Sequence, residues 1–171
     1  MSSFFSPISS KCFWHFIATG FYSGLSPISP GTIGTLVSIP FLFILVQLSL
    51  FIYIFIIIIL FILGIKACQV VSDDIGGQDH ASIVWDEFIG FWVTMSVLPF
   101  LNISIIDWKW LLAGFIVFRV LDILKPWPIS WLDKNINGGL GIMIDDIVAG
   151  MIASVILYFV GKHSGWILVH I

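Results

Sequence analysis

The sequence predicts an all-α fold: a polytopic membrane helical bundle with four or five membrane segments and a polar site at one face. Three observations carry this expectation. Of the 171 residues, 59% are hydrophobic and 10% charged, whereas an ordinary soluble domain carries about a quarter charged residues; the mean hydropathy is +1.11. No Asp, Glu, Lys or Arg occurs in residues 16–65. The charges that do occur gather at the ends of apolar runs. Trp85-Asp86-Glu87-Phe88 leads into residues 89–98, Asp145-Asp146 leads into residues 147–160, and residues 110–118 run in mirror order into Arg119, Asp122 and Lys125. If these three segments cross a bilayer in alternating directions, all three charged ends reach one surface.

The net charge of -3 and the scattered Lys and Arg residues give no basic stripe, so no nucleic acid is expected as a partner. No obligate protein partner is inferred either. Cys12 and Cys68 stand alone in apolar settings and read as packing residues, with no zinc-type spacing. The first long apolar run begins far from the N-terminus, which does not fit a cleaved signal peptide. One integral domain, residues 1–171, is the economical organisation.

In chain order, residues 1–10 read as a frayed end and residues 12–18 as a short interfacial helix with Lys11, Trp14 and His15 at headgroup level. Residues 20–35 alternate Gly20, Gly24, Gly31 and Gly34 with Pro27, Pro30 and several Ser and Thr residues. By composition this is a loop, either a linker or a ligand-facing segment in which glycine permits close backbone approach and Thr32 or Thr35 offers a hydroxyl. Residues 36–65 as one helix would measure about 45 Å against a hydrocarbon core of about 30 Å. A hairpin broken at Gln47-Leu48-Ser49 is therefore expected, with one long tilted helix as the alternative. Lys66 opens a polar stretch containing Asp73, Asp74, Asp79 and His80, which reads as a solvated loop, with Gly76-Gly77 marking a turn.

Residues 85–98 form the next segment, residues 99–107 turn at the far surface, and Trp108 and Trp110 anchor the return. That helix stops at Lys125-Pro126-Trp127-Pro128, because proline restricts its predecessor and lacks a donor. A polar loop holding Asp133, Lys134, Asn135 and Asn137 is closed by Gly138-Gly139, and the last span ends near Gly161-Lys162. Lys66, Arg119, Lys125 and Lys134 fall on the side that carries the acids, while Lys109 and Lys162 oppose them. The positive-inside rule then puts the polar face in the cytoplasm.

Nine of the ten acidic residues fall between Asp73 and Asp146 on the same predicted side. Five of them, Asp86, Glu87, Asp122, Asp145 and Asp146, abut helix cores. Carboxylates that close together repel unless a positive charge sits between them. A divalent cation would serve, and hard oxygen ligands suit Mg2+ rather than zinc. Interhelical salt bridges with Arg119 and Lys125 are the bland alternative. Asp86, Gly90 and Thr94 are spaced four apart, as are Asp146, Gly150 and Ser154, so each acid heads a stripe of small residues that permits close helix approach. Arg119, Asp122 and Lys125 share one helix face, where the two cations can hold a phosphate while Asp122 holds metal, or simply pair as ions.

Four blocks, GFYSGLSPISPGTIGT (20–35), IVWDEFIG (83–90), FRVLDILKPWPI (118–129) and GGLGIMIDDIVAG (138–150), resemble the motif blocks of the bacterial phosphatidylglycerophosphatase A family. The likeness covers essentially the whole chain, and Asp86, Glu87, Arg119, Asp122, Lys125, Asp145 and Asp146 match its polar motif positions. The resemblance implies an Mg2+-dependent, multi-pass enzyme of the bacterial inner membrane. Its substrate would be phosphatidylglycerophosphate in membrane lipid and its products phosphatidylglycerol and phosphate.

The resemblance does not allot roles. Our reading gives Asp86, Glu87, Asp122, Asp145 and Asp146 to a shared metal and water-positioning set, and Arg119, Lys125 and Thr32 to the phosphate. Direct attack by water and attack by an Asp nucleophile both stay open. The rival functions are a CDP-alcohol phosphotransferase, whose spaced acidic array is missing here, and a non-catalytic ion-conducting or structural membrane subunit. The last gives no reason for Arg119, Asp122 and Lys125 to meet the acids at one surface.

Overall fold

The computed structural model describes residues 13–76, 80–103 and 107–165; the expectations placed on residues 1–10, Lys11, Cys12, Gly77 and Asp79 lie outside them. Among the described residues eight α-helices follow one another: α1 (Phe13–Ala18), α2 (Pro30–Leu45), α3 (Leu50–Asp74), α4 (Trp85–Met95), α5 (Val97–Phe100), α6 (Trp108–Leu124), α7 (Ile129–Asn135) and α8 (Gly138–His163). No strand occurs among the described residues. By length and composition α3 and α8 are able to cross a membrane, and α2 is a shorter apolar helix.

The helix α8 is the hub, packing against α3, α4, α5, α6 and α7, while α2 packs on α4 and α1 on α3. Its apolar window is 56% buried against 22% for that of α3, which makes α8 the centre and α3 a wall. Phe51, Phe55, Ile58 and Ile62 of α3 project outward, as a helix apolar on every side does when its outer face meets lipid tails. Inside, Tyr53, Phe88, Phe91, Phe118, Met143 and Leu157 are fully buried. Long-range hydrogen bonds tie these elements: Tyr53 Oη donates to the Trp92 carbonyl at 2.5 Å, Trp92 Nε1 to that of Ser38 at 3.1 Å, and Trp85 Nε1 to that of Leu60 at 3.2 Å.

The break at residues 46–49 is present, so residues 36–65 form a hairpin. Four other boundaries differ from the expectation. Residues 20–35 are loop, with one 3-10 turn at Ser23–Leu25, only as far as Ser29; Pro30 opens α2, and Gly31, Thr32, Gly34 and Thr35 are helical. Proline suits a first helical position because the N–H it lacks would have no intrahelical acceptor. Lys66, Asp73 and Asp74 lie in the last turns of α3, not in a loop. Pro99 lies in α5, and Asp133, Lys134 and Asn135 form the end of α7. His15 is packed inside the protein, 1% exposed, and its Nε2 lies 2.6 Å from Asp74 Oδ2. Trp14 lies beneath Lys66, whose ammonium is 4.7 Å from the ring centroid. Cys68 is fully buried, with its sulfur 3.7 Å from Met143 Sδ, and so fills core space.

Candidate active site

Close helix packing puts the acids together. A methyl group on Gly90 would lie 2.7 Å from the Phe118 ring and 2.9 Å from the Asp146 carbonyl oxygen, and one on Gly150 would overlap the Gly90 carbonyl. The two helices α4 and α8 therefore touch backbone to backbone at these glycines. Asp86 and Asp146 each lie one helical turn before the contact, on the same side of it, so their carboxylates converge. Asp86, Glu87 and Asp146 each offer an oxygen, and these atoms all lie within 4.8 Å of one another. Asp122 joins from α6, its carboxyl within hydrogen-bond reach of Asp146.

The basic residues divide. Arg119 Nη1 donates to Asp122 Oδ2 at 2.5 Å and lies 3.7 Å from Glu87 Oε1, so Arg119 stays with the acidic cluster. Lys125 ends α6 in a left-handed conformation, φ 42°, and its ammonium bridges Asp133 of α7 and Asp145 of α8, the latter at 2.7 Å. Burial works against the Lys125 charge, but the hydrogen bonds to Asp133 and Asp145 outweigh it and raise its pKa above the ordinary lysine value. Asp145 and Asp146 are adjacent, so they project about 100° apart around the helix. Only Asp146 turns toward α4; Asp145 turns toward Lys125.

All eight residues expected in the site line one cavity of about 320 Å³: Thr32, Asp86, Glu87, Arg119, Asp122, Lys125, Asp145 and Asp146. Ser29, Pro30, Gly31, His80 and Ile123 complete much of its wall. Sequence reasoning missed two of three further contributions and held the third, close approach at Gly31, only as the ligand-facing alternative for residues 20–35. Gly31 is tight against the acids: a methyl group there would overlap Glu87 Oε1 and lie 3.1–3.2 Å from the Arg119 guanidinium nitrogens. Its place in a Pro-Gly-Thr run was the available signal. Asp133, read as a loop acid, holds Lys125. His80, read as solvated, reaches the cavity wall, with its Nδ1 2.6 Å from Ser82 Oγ.

Several buried polar atoms have no hydrogen-bond partner among the described residues: Glu87 Oε2, Asp145 Oδ1, Asp146 Oδ2 and Arg119 Nε. Leaving such groups unsatisfied is costly. The carboxylate oxygens fit a hard divalent cation, for which an all-oxygen donor set is the right chemistry. The cavity thus joins metal-type ligands to a guanidinium with an unused donor and to the first turn of α2, whose dipole favours an anion. A phosphate ester bound to a cation has the complementary charges. A larger hollow of about 520 Å³, lined by Leu50, Ile54, Val97 and Phe159 among others, lies at the far end of the bundle and has no charged lining residue.

The sequence pattern described as phosphatidylglycerophosphatase A matches residues 16–161. A phosphatidylglycerophosphatase A of Escherichia coli (strain K12) is 51% identical over 150 residues, which is 88% of this chain and 84% of that protein. One of Haemophilus influenzae is 40% identical over 145 residues, covering 84% of this chain and 86% of its own length. A Bacteroides thetaiotaomicron protein, provisionally named a phosphatidylinositol-3-phosphatase, is 33% identical over 82% of this chain and 89% of its own. No solved structure matches.

Proposed function

Because this chain belongs to the phosphatidylglycerophosphatase A family, we infer that it hydrolyses the terminal phosphomonoester of phosphatidylglycerophosphate, giving phosphatidylglycerol and phosphate. One observation carries the chemical reading: unsatisfied carboxylate oxygens of Glu87 and Asp146 share a cavity with the unsatisfied Nε of Arg119. Acids alone would fit a proton or ion path, but this juxtaposition fits an anion held beside a metal.

In the proposed division, Asp86, Glu87, Asp122 and Asp146 hold Mg2+. When bound there, the ion supplies Lewis-acid polarisation of a phosphoryl oxygen and offsets the cluster's negative charge. Arg119 binds the phosphate through its free donor edge and neutralises charge that grows in the transition state. The amino end of α2, with the Thr32 hydroxyl, faces the same anion. Lys125 acts at longer range, through its positive charge, and locks α7 and α8 at the rim. A carboxylate of the cluster orients water in line with the phosphorus and takes its proton. The phosphorus–oxygen bond to the glycerol breaks, and the leaving oxygen keeps the electron pair and gains a proton. Attack by an Asp carboxylate, with water releasing phosphate afterwards, would use the same groups.

The family and the apolar helices support a multi-pass protein of the bacterial inner membrane. Of the four or five membrane segments expected, we assign five: α2, α3, the α4–α5 unit, α6 and α8. The cavity is assigned to the cytoplasmic face because Lys66, Arg119, Lys125 and Lys134 gather at that end. Purified protein in detergent should release phosphate from phosphatidylglycerophosphate with Mg2+ and stop on chelation. Phosphatidylglycerol must appear in equal amount. No release, in parallel with an active relative that turns over, rejects the activity. Asn135→Cys and Asn102→Cys, both at exposed positions, test the orientation: an impermeant thiol reagent added to intact cells should label only the latter.

A further inference from the structure

We propose that the substrate's acyl chains lie along one outer face of α6 and that its headgroup enters the cavity sideways from the bilayer, between the start of α2 and the end of α6. This rests on the lipid phosphatase reading and adds the route and the chain-binding surface. The cavity lies between those two elements. Ser29, Pro30, Gly31 and Thr32 form one wall, Arg119, Asp122 and Ile123 the other, and the acids of α4 and α8 are also part of the lining. Ile123 belongs to that lining, yet it is 67% exposed.

Ile123 is also the end of a stripe. Leu112, Ile116, Val120 and Ile123 recur at helical spacing on α6, each about half exposed or more, while Trp110, Gly114 and Phe118 on the other side of the helix are buried. From Leu112 to Ile123 the stripe rises about 16 Å at 1.5 Å per residue. That is close to one leaflet of a hydrocarbon core of about 30 Å. Exposed apolar residues on α3 and α8 also meet lipid, but this stripe is distinguished by ending in a cavity wall beside Arg119 and Asp122. An apolar track one leaflet deep that ends at a charged cavity matches a molecule with long chains and a phosphate head. A water-soluble phosphate ester would need the cavity alone.

The test compares long-chain phosphatidylglycerophosphate in vesicles with a short-chain, water-soluble analogue bearing the same headgroup, using the full-length protein. Val120→Gln and Ile116→Gln place a polar side chain on the stripe away from the charged groups. Each should lower the long-chain to short-chain ratio of kcat/KM by about tenfold, the scale of one lost apolar contact in substrate discrimination. Met151→Gln, at an exposed apolar position of α8, should leave that ratio at the wild-type value. Equal losses on both substrates, an unchanged ratio in both stripe variants, or the same drop in the α8 variant would overturn the proposed track. Wild-type protein that cleaves neither substrate would instead remove the phosphatase reading on which the track depends.

Discussion

Gly90 of α4 and Gly150 of α8 meet so closely that a methyl group on Gly150 would overlap the Gly90 carbonyl oxygen. This contact sets the distance between Asp86 and Asp146, each four residues earlier on its helix. Gly150→Ala should therefore act twice. Overpacking costs about 1–3 kcal/mol of stability, and spreading the acids weakens their shared site. Thermal unfolding in detergent should show the first effect, and a higher Mg2+ requirement for turnover the second. Wild-type values in both measurements would mean that the helix contact does not set the site.

Asp146→Asn keeps the shape of a side chain that is 3% exposed but removes an anionic oxygen from the cluster. Turnover should fall by about 100-fold or more, and the fold should persist, because a buried like-charge repulsion is relieved at the same time. Binding is visible without turnover: a ligand at 100 times its Kd stabilises by about 2.7 kcal/mol. Mg2+ should accordingly raise the unfolding temperature of the wild type and have much less effect on the variant. Equal Mg2+ stabilisation of both proteins would take Asp146 out of the metal set.

Lys125 bridges Asp133, on the exposed α7, and Asp145, which is 4% exposed. Lys125→Met leaves Asp145 charged and uncompensated, so it should destabilise by about 2 kcal/mol, more than Asp133→Asn, whose acid is near water. The pH sign follows from the raised Lys125 pKa. A cation whose folded pKa lies above its unfolded value contributes fully below the unfolded value and loses that contribution as pH rises through the folded one. The ordinary lysine value is 10.5, so the stability difference between wild type and Lys125→Met should not shrink between pH 7 and pH 9. A difference that shrinks over that range would show that Lys125 titrates early and does not hold the rim together.

Gly31→Ala tests the contact between α2 and the acidic cluster. Alanine is the better helix former by up to about 1 kcal/mol, so local propensity alone predicts a neutral or stabilising change. The added methyl would instead overlap Glu87 Oε1 and crowd Arg119. Displacements of about 1 Å at reacting groups cost up to about 100-fold in rate. Activity should fall well before stability does, as read from kcat/KM beside the unfolding temperature. Full activity in a folded Gly31→Ala protein would mean that α2 does not shape the site.

The sequence by itself determined the helical membrane class, through a chain nearly free of charge over residues 16–65, and the hairpin there, because one helix would have outrun the bilayer. It also determined which residues could meet at one surface, through the matched spacing of Asp86 with Gly90 and of Asp146 with Gly150. Tertiary structure alone decided the pairings between helices, Lys125 with Asp133 and Asp145 and Arg119 with Glu87. Two neighbours in a helix face different partners: the spacing to Gly150 puts Asp146 at the head of the stripe that meets α4, whereas only the fold brings Asp145 to Lys125. The start of α2 at Pro30 was likewise hidden. Glycine, serine and proline read locally as loop, whereas a methyl group on Gly34 would lie 2.7 Å from Val84 Cβ, a close packing of α2 on the chain before α4 that stabilises the helix only once the rest of the bundle is in place.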